Sequence, residues 1–345
     1  MTNDPGFLDR VAARVEKVIA EGRTEYGGID TELDDLFLRL SVLSANRGKG
    51  VRADAARLGW LAAGGAPDDP TPVNIGAAFE LLHLSALVHD DMIDGSSSRR
   101  GVPTVHVEAA ARHLTGRWAG SGAHFGNSIA VITGNVISAL AQSALGEVND
   151  AARNEWSRVQ LEVNLGQYLD LVAAAGRSVD EDRVHAVMHL KTAAYTFARP
   201  LRTGAAATGS ADRSALESLG AYGFLVGMAF QLRDDILGVF GDESLTGKPA
   251  GDDLREGKAT LLLTMSASRP ENRESGVYAR VGAPDLTDDE IDLMRSTMRS
   301  DGTLEWAEAE TRRYVDKSFD QLGPWSGDMR TALENLARSA VERLR

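Results

Sequence analysis

The chain has 345 residues, no cysteine, a formal net charge of −13 and a pI near 5.1. That excludes disulfides, thiol nucleophiles and thiolate metal sites, and argues against nucleic acid, which asks for a basic footprint. An anionic substrate would therefore need local cations, from metal ions or from a small Lys/Arg cluster. Apolar residues recur mostly at helical spacing, and no Gly/Ser/Pro-rich linker divides the chain. The expectation is an all-α protein forming a single domain over 1–345.

Phe7, Val11, Val15, Val18 and Ile19 fall at steps of three and four, an amphipathic first helix preceded by no signal-peptide pattern. Gly27-Gly28 breaks it, and Thr31 with Asp34 offers a cap for the next. Arg47-Gly48-Lys49-Gly50 reads as a turn, then Arg52 to about Ala63 as helix, stopped by Gly64-Gly65-Ala66-Pro67. Asn74 is the expected cap of a helix running to Asp94, with Gly95 as its stop, and 95–105 reads as a basic loop. Further helices are expected at 126–146, 150–175, 180–198, 212–240, 288–317 and 327–344, with Ser266–Asp285 the least structured stretch. The longest uncharged run, Ser128–Leu145, carries Thr133, Asn135, Ser138, Gln142 and Ser143 and reads as a buried core helix rather than a membrane span. No membrane anchor is expected, and the lack of cysteine fits a cytoplasmic location.

Two aspartate-rich runs each close a long apolar stretch. The first is Leu-Val-His-Asp-Asp-Met-Ile-Asp at 87–94, followed by Arg99 and Arg100; the second is Phe-Gln-Leu-Arg-Asp-Asp-Ile-Leu-Gly at 230–238, followed by Lys248 and Lys258. Asp90 and Asp94 share a helix face, about 40° apart around the axis, while Asp91 points elsewhere. Carboxylates at the negative end of a helix dipole cost ~0.3–1 kcal/mol each at exposed sites, and a bound cation reverses that sign. Oxygen donors without cysteine suit a hard ion such as Mg²⁺, completed by substrate phosphates. For the isolated Asp-Asp-x-x-Asp pentapeptide a solvated acidic helix end is the better reading; the context shifts the balance. Below Asp90 and Asp94 the same face carries Ala86, Leu82/His83 and Phe79, an apolar stripe suited to a greasy tail or to plain core packing. Arg99, Arg100, Lys49 and Arg52 add cations suited to phosphate oxygens. Gln231, Asp234 and Asp235, followed by Gly247 to Lys258, repeat the logic.

These features together resemble the trans (E)-isoprenyl diphosphate synthases of the polyprenyl synthetase family, geranylgeranyl diphosphate synthases in particular. The motifs that carry the resemblance are His-Asp-Asp-Met-Ile-Asp through Arg-Arg-Gly-Val-Pro-Thr-Val-His (89–106), Gly-Gln-Tyr-Leu-Asp-Leu (166–171), Lys-Thr-Ala-Ala-Tyr (191–195) and Phe230 to Lys258. The resemblance implies one bundle of ten or more helices around a central cavity, commonly a homodimer. It also implies a Mg²⁺-dependent prenyltransferase, with three ions per site, that joins isopentenyl diphosphate to an allylic diphosphate. Asp90, Asp94 and Asp234 would hold the metal, supported by Asp91, Asp235, Gln167 and Asp170. Arg99, Lys191, Lys248 and Lys258 would grip the allylic diphosphate, and Lys49, Arg52, His83 and Arg100 the isopentenyl diphosphate. Thr192, Tyr195 and Gln231 would line the place where carbocation character develops.

Three positions depart from the pattern: Gly50 stands for an arginine, Gly238 for the last aspartate of the second run, and Asn135 for an aspartate. Chain length is read from the residues before the first aspartate. Ser85 and Ala86 are small where short-chain synthases are bulky, so Leu82 and Phe79 become the expected floor and C20 the expected product. Longer chains, a class I terpene cyclase and a non-catalytic subunit of a heteromeric synthase are the competing readings.

Overall fold

The computed structural model describes residues 4, 6–176, 180–241 and 250–342. They are helical almost throughout, and the one sheet among them is a two-stranded ladder. The all-α expectation holds. The described residues gather into two compact units, one of residues up to 57 with 66–149, the other of 58–65 with those from 150 onward.

In the first unit, α1 (Phe7–Tyr26) packs on α2 (Thr31–Ala45) and on α4 (Thr71–Ile93). The α1 stripe from Phe7 to Ile19 is buried as its spacing predicts. Asp30, one residue before the expected Thr31, caps α2, its carboxylate accepting from the Glu32 amide at 2.8 Å. Helix α4 begins at Thr71 rather than at Asn74. Asp69 receives the Thr71 amide at 2.8 Å, and Pro72 suits the first turn, where an amide has no intrahelical acceptor. Helix α3 (Val51–Ala62) starts in this unit and ends in the other.

Residues 95–105 are not wholly loop. Strands β1 (Ser98–Arg99) and β2 (Val102–Pro103) pair antiparallel, with Arg99 across from Val102. The turn residues Arg100 and Gly101 both have positive φ, 51° and 81°, as a tight right-twisted hairpin requires. Helix α5 (Val105–Thr115), which the spacing did not reveal, then leads to α6 (Gly122–Leu145), and α6 packs along α4.

The second unit is built on α7 (Asp150–Ala175), α8 (Glu181–Val187), an 11-residue π-helix (Met188–Ala198), α9 (Arg199–Ala207) and α10 (Arg213–Phe240). Short helices α11 (Asp252–Glu256), α12 (Leu261–Ala267) and α13 (Pro270–Ser275) precede α14 (Asp288–Ser300), α15 (Thr303–Asp320) and α16 (Gly327–Glu342). The helix expected at 180–198 therefore continues to Ala207 through a π-helical stretch, a form that single-residue periodicity does not reveal. Glycines let the neighbouring helices approach its backbone. A β-carbon at Gly166 would lie 2.5 Å from the Lys191 amide nitrogen, and one at Gly223 2.6 Å from Ala198 Cα. Glu155, Glu162, Arg199 and Arg202 tie α7 to α9 in a largely buried ion-pair network, with Glu155 8 % exposed.

Ser266–Asp285 is not the unstructured stretch that its polarity suggests. Ser266 is fully buried and shares hydrogen bonds with Tyr278 and with Asp301, which also accepts from Asn272 at 2.8 Å. Ser266, Asn272 and Tyr278 thus converge on one another and on Asp301, while residues 276–286 are turns and most of the other polar side chains are exposed.

Candidate active site

The first acidic run ends α4. Asp90 is half-buried and Asp94, the C-cap, is exposed. Gly95 follows with φ +68°, and the Ser96 amide closes back on the Asp91 carbonyl at 2.9 Å. Asp91 was expected to support metal, but its buried carboxylate has another role. It accepts the Arg99 Nε through both oxygens at 2.8 Å and a second guanidinium nitrogen at 2.6 Å. The hydrogen bond to Asp91 raises the Arg99 pKa against the opposing effect of burial, and the charges of Asp91, Asp90 and Asp94 reinforce it. Arg99 is therefore a fixed cation beside the two outward carboxylates.

The four residues expected to hold isopentenyl diphosphate, Lys49, Arg52, His83 and Arg100, all lie in the first unit. Gly48, Glu80, His83 and Arg100 form the polar end of a cavity of about 80 Å³ whose other walls include Leu8, Val11 and Leu84. Burial pushes His83 well below the usual imidazole value, helped by Arg52, Arg100 and Arg99, so it is neutral at pH 7. Glu80, which the sequence did not single out, is raised by burial and pulled part of the way back by Arg52, a hydrogen bond from Ala53 and Arg100. The Arg100 guanidinium donates to the Asn46 carbonyl, and Lys49 is exposed. Gly50 has a physical reason: its φ is +66°, and a β-carbon would meet Leu8 Cδ2 at 2.5 Å. An arginine there would be strained by the positive φ and would have to push the Leu8 side chain aside.

Along α4, Phe79 is fully buried, Leu82 is 5 % exposed and Ala86 is half-buried. Ser85 is committed to α6, where its hydroxyl donates to the Gly134 carbonyl at 2.8 Å. Its hydroxyl is thereby held against α6, beside the other chain-length candidates Ala86, Leu82 and Phe79. His89 sits over Gly134 with Nε2 3.1 Å from the Val131 carbonyl, a packing role.

In the second unit, Lys191 and Thr192 lie on the π-helix. Lys191 Nζ is 2.6 Å from Asp170 Oδ2 on α7, and Thr192 donates to Gln231 Oε1. Gln231 in turn donates to Asp235 at 2.7 Å, so Thr192, Gln231 and Asp235 form a hydrogen-bonded chain. Asp235 is buried, and burial followed by the Asp253 charge lifts its carboxyl well above the usual range. Asp234 is exposed, while Tyr195 is buried and Gln167 half-buried. Lys258 binds Asp253 at 3.2 Å and Glu256 at 2.5 Å; these carboxylates outweigh its burial and raise its pKa. Lys248 lies outside the described residues. Asp253 lies within the second acidic run read from the sequence, but its close approach to Gly238, 15 positions away on another element, is visible only in the structure.

The donors offered at both acidic ends are carboxylate oxygens, the set a hard divalent cation takes. Among the described residues no three His, Asp or Glu side chains are already gathered into a metal cage. Ions bound here would therefore complete their shells with phosphate and water oxygens, as Mg²⁺ does in phosphate-handling sites.

Carboxylate-rich helix ends set beside fixed cations on an all-α scaffold define a class, helical enzymes that act on diphosphates. The polyprenyl synthetase family profile matches residues 38–291. The chain is 31 % identical over 268 residues to geranylfarnesyl diphosphate synthase of Aeropyrum pernix, spanning 75 % of this chain and 78 % of that one. It is 32 % identical over 308 residues to (2E,6E)-farnesyl diphosphate synthase of Mycobacterium bovis, spanning 86 % and 80 %. Geranylgeranyl pyrophosphate synthase of Corynebacterium glutamicum, crystallised with isoprenyl diphosphate and magnesium, matches with a TM-score of 0.90 at 32 % identity, across 98 % of this chain and 99 % of that one. The chain belongs to the polyprenyl synthetase family and is a prenyltransferase.

Proposed function

We propose that the enzyme condenses isopentenyl diphosphate with an allylic diphosphate to give all-trans geranylgeranyl diphosphate, C20, in the presence of Mg²⁺. The observation that carries the chain length is the α4 stripe: half-buried Ala86 below Asp90, then buried Leu82 and Phe79. Each helical turn adds ~5.4 Å, about the length of one isoprene unit. A C25 or longer product is the second reading, favoured by the geranylfarnesyl activity in the name of the Aeropyrum relative.

In this reading Asp90, Asp94 and Asp234 would hold Mg²⁺, with Gln167, Asp170 and Asp235 in support. When bound, the metal neutralises the leaving diphosphate. Arg99, Lys191, Lys248 and Lys258 grip the allylic diphosphate; Lys49, Arg52, neutral His83 and Arg100 hold isopentenyl diphosphate. The allylic C–O bond breaks, and the isopentenyl double bond attacks the cation to form the new C–C bond. A proton then leaves to the released pyrophosphate. Thr192, Tyr195 and Gln231 line the cation, and apolar walls keep water from quenching it. No side-chain nucleophile is required, in keeping with the absence of cysteine.

The reading includes one polyprenyl synthetase domain, a cytoplasmic location and a homodimer. The dimer is supported by α7, where Leu161, Leu165, Tyr168 and Val172 form an exposed apolar stripe at steps of three and four. The test is mass spectrometry of products from isopentenyl diphosphate, Mg²⁺ and, separately, C5, C10 and C15 primers. A C20 diphosphate is expected. Release of a hydrocarbon or alcohol from a primer alone, without elongation, would replace this reading with a cyclase.

A further inference from the structure

Lys191 and Thr192 are neighbours in the chain, yet their side chains are taken by different helices. Lys191 Nζ meets Asp170 on α7 at 2.6 Å, and the Thr192 hydroxyl donates to Gln231 Oε1 on α10. The two partners share one feature. Gly166 stands four positions before Asp170 and Gly227 four before Gln231, so each polar partner has a glycine one turn back on its own helix face.

Both glycines lie against the π-helix backbone. A β-carbon on Gly166 would lie 2.5 Å from the Lys191 amide nitrogen and 2.8 Å from Lys191 Cα. One on Gly227 would overlap Ala193 Cα and lie 2.7 Å from its Cβ. On α10 the contact continues a turn earlier, where a β-carbon on Gly223 would lie 2.6 Å from Ala198 Cα. Four residues of α10 thus run beside five of the π-helix, one turn of each kind. Side chains at 166 and 227 would hold the helices further apart. Asp170 and Gln231 would then fall short, because a hydrogen bond is lost within a few tenths of an ångström beyond about 3.2 Å.

We propose that Gly166 and Gly227 are positioning residues for the reaction. Gly166 sets the reach of Asp170 to Lys191, and Gly227 that of Gln231 to Thr192, so that one π-helix presents a cation and a hydroxyl in two fixed directions. This rests on the synthase reading, in which Lys191 grips the allylic diphosphate and Thr192 lines the forming cation. Each glycine acts through the polar residue one turn on. Close packing with a purely structural role makes a different prediction: alanine would lower stability, and its kinetic losses would multiply with those caused at the polar pairs.

The experiment is a pair of double-mutant cycles on the full-length enzyme, with Mg²⁺, isopentenyl diphosphate and the primer that wild type elongates best. One cycle sets Gly166→Ala against Asp170→Asn, the other Gly227→Ala against Thr192→Val. Misplacing a reacting group by about 1 Å costs up to about 100-fold. On that scale Gly166→Ala is expected to raise the allylic KM about 10-fold, and Gly227→Ala to lower kcat about 10-fold with both KM values unchanged. Each double variant is expected to lie within about 2-fold of its worse single variant, since the two changes break the same contact. Ala193→Gly is run against Thr192→Val as well, because it loosens the α10 contact without adding volume and so folds where an added methyl does not. It is expected to lower kcat by a smaller factor that Thr192→Val does not deepen. Wild-type constants in a folded alanine variant, an unchanged kcat in Ala193→Gly, or losses that multiply in the double variants would overturn the proposal. Failure of wild-type enzyme to elongate any primer would sink the synthase reading instead, so the two failures are distinguishable.

Discussion

Asp91 holds Arg99 through both carboxylate oxygens, with Nε 2.8 Å from each, although the two residues sit on different elements, α4 and β1. Asp91 lies in the middle of the acidic run, yet it turns away from the outward Asp90 and Asp94 to fix the nearest cation. One aspartate-rich helix end thus supplies two kinds of group, outward carboxylates and a clamp for an arginine.

Asp91→Asn should therefore act on substrate binding more than on metal binding. Freed from its clamp, Arg99 loses its orientation, and KM for the allylic diphosphate should rise about 10-fold, the change expected for losing ~1.4 kcal/mol of binding. Stability should fall by about 2 kcal/mol, less than the ~3–5 for breaking a fully buried pair, because Arg99 is 36 % exposed. Steady-state kinetics and denaturant unfolding check both. An unchanged KM would contradict the clamp.

Gly134→Ala tests the seat of His89. A β-carbon there would overlap His89 Nε2 and come within 2.7 Å of its Cε1. Overpacking of a tight core costs typically ~1–3 kcal/mol, and His89 immediately precedes Asp90. The denaturation midpoint should drop, and the Mg²⁺ concentration for half-maximal rate should rise. Wild-type values of both would show that the notch is dispensable.

Product length should respond to Ala86 and hardly to Ser85. Ala86→Phe places a ring one turn below Asp90 and should shorten the main product to C15. Ser85→Ala removes only the hydroxyl that donates to Gly134 and should leave chain length unaltered. Mass spectrometry of the two product sets decides it; an Ala86→Phe enzyme still making C20 would move the floor to another helix.

The Asp301 network makes a prediction in pH. Burial raises the Asp301 carboxyl, but hydrogen bonds from Ser266, Thr303 and Asn272 outweigh it, and the folded-state pKa is lowered. A carboxyl with a depressed folded pKa contributes stability above its unfolded value, about 3.9, and that contribution is lost as pH falls through the folded value. Wild type should accordingly exceed Asp301→Asn in stability near neutrality, with the gap narrowing as pH drops below about 4. Urea unfolding across pH reads this out; a gap that widened in acid would refute the assignment.

Much of this protein was legible in the order of its residues, because the features concerned are local. Period-3.6 apolar spacing marked α1, α4, α7 and α10, and two short runs, Asp90 to Asp94 with Arg99 and Arg100, and Asp234-Asp235 with Lys248 and Lys258 after them, pointed to diphosphate chemistry. The elements that escaped are those whose cause is not local. Helix α5 follows a hairpin that the basic composition of 95–105 concealed. The 188–198 stretch is π-helical, a form that periodicity does not mark, and Gly166 and Gly223 admit neighbouring helices close to its backbone. The order in Ser266–Asn272 was hidden because Ser266 and Asn272 find a partner in Asp301, about 30 positions on, beyond the window in which periodicity is read.

The sequence by itself determined the helical class, the family and the inventory of carboxylates and cations, since each depends on residue type and short-range spacing. Only the tertiary structure decided which group each charge serves. Asp91 to Arg99, Lys191 to Asp170, Ser85 to Gly134 and Asp253 over Gly238 are pairings between separate elements. Hydrogen bonds and ion pairs act over about 3 Å, so a partner is chosen by proximity in space, which packing sets and chain order does not.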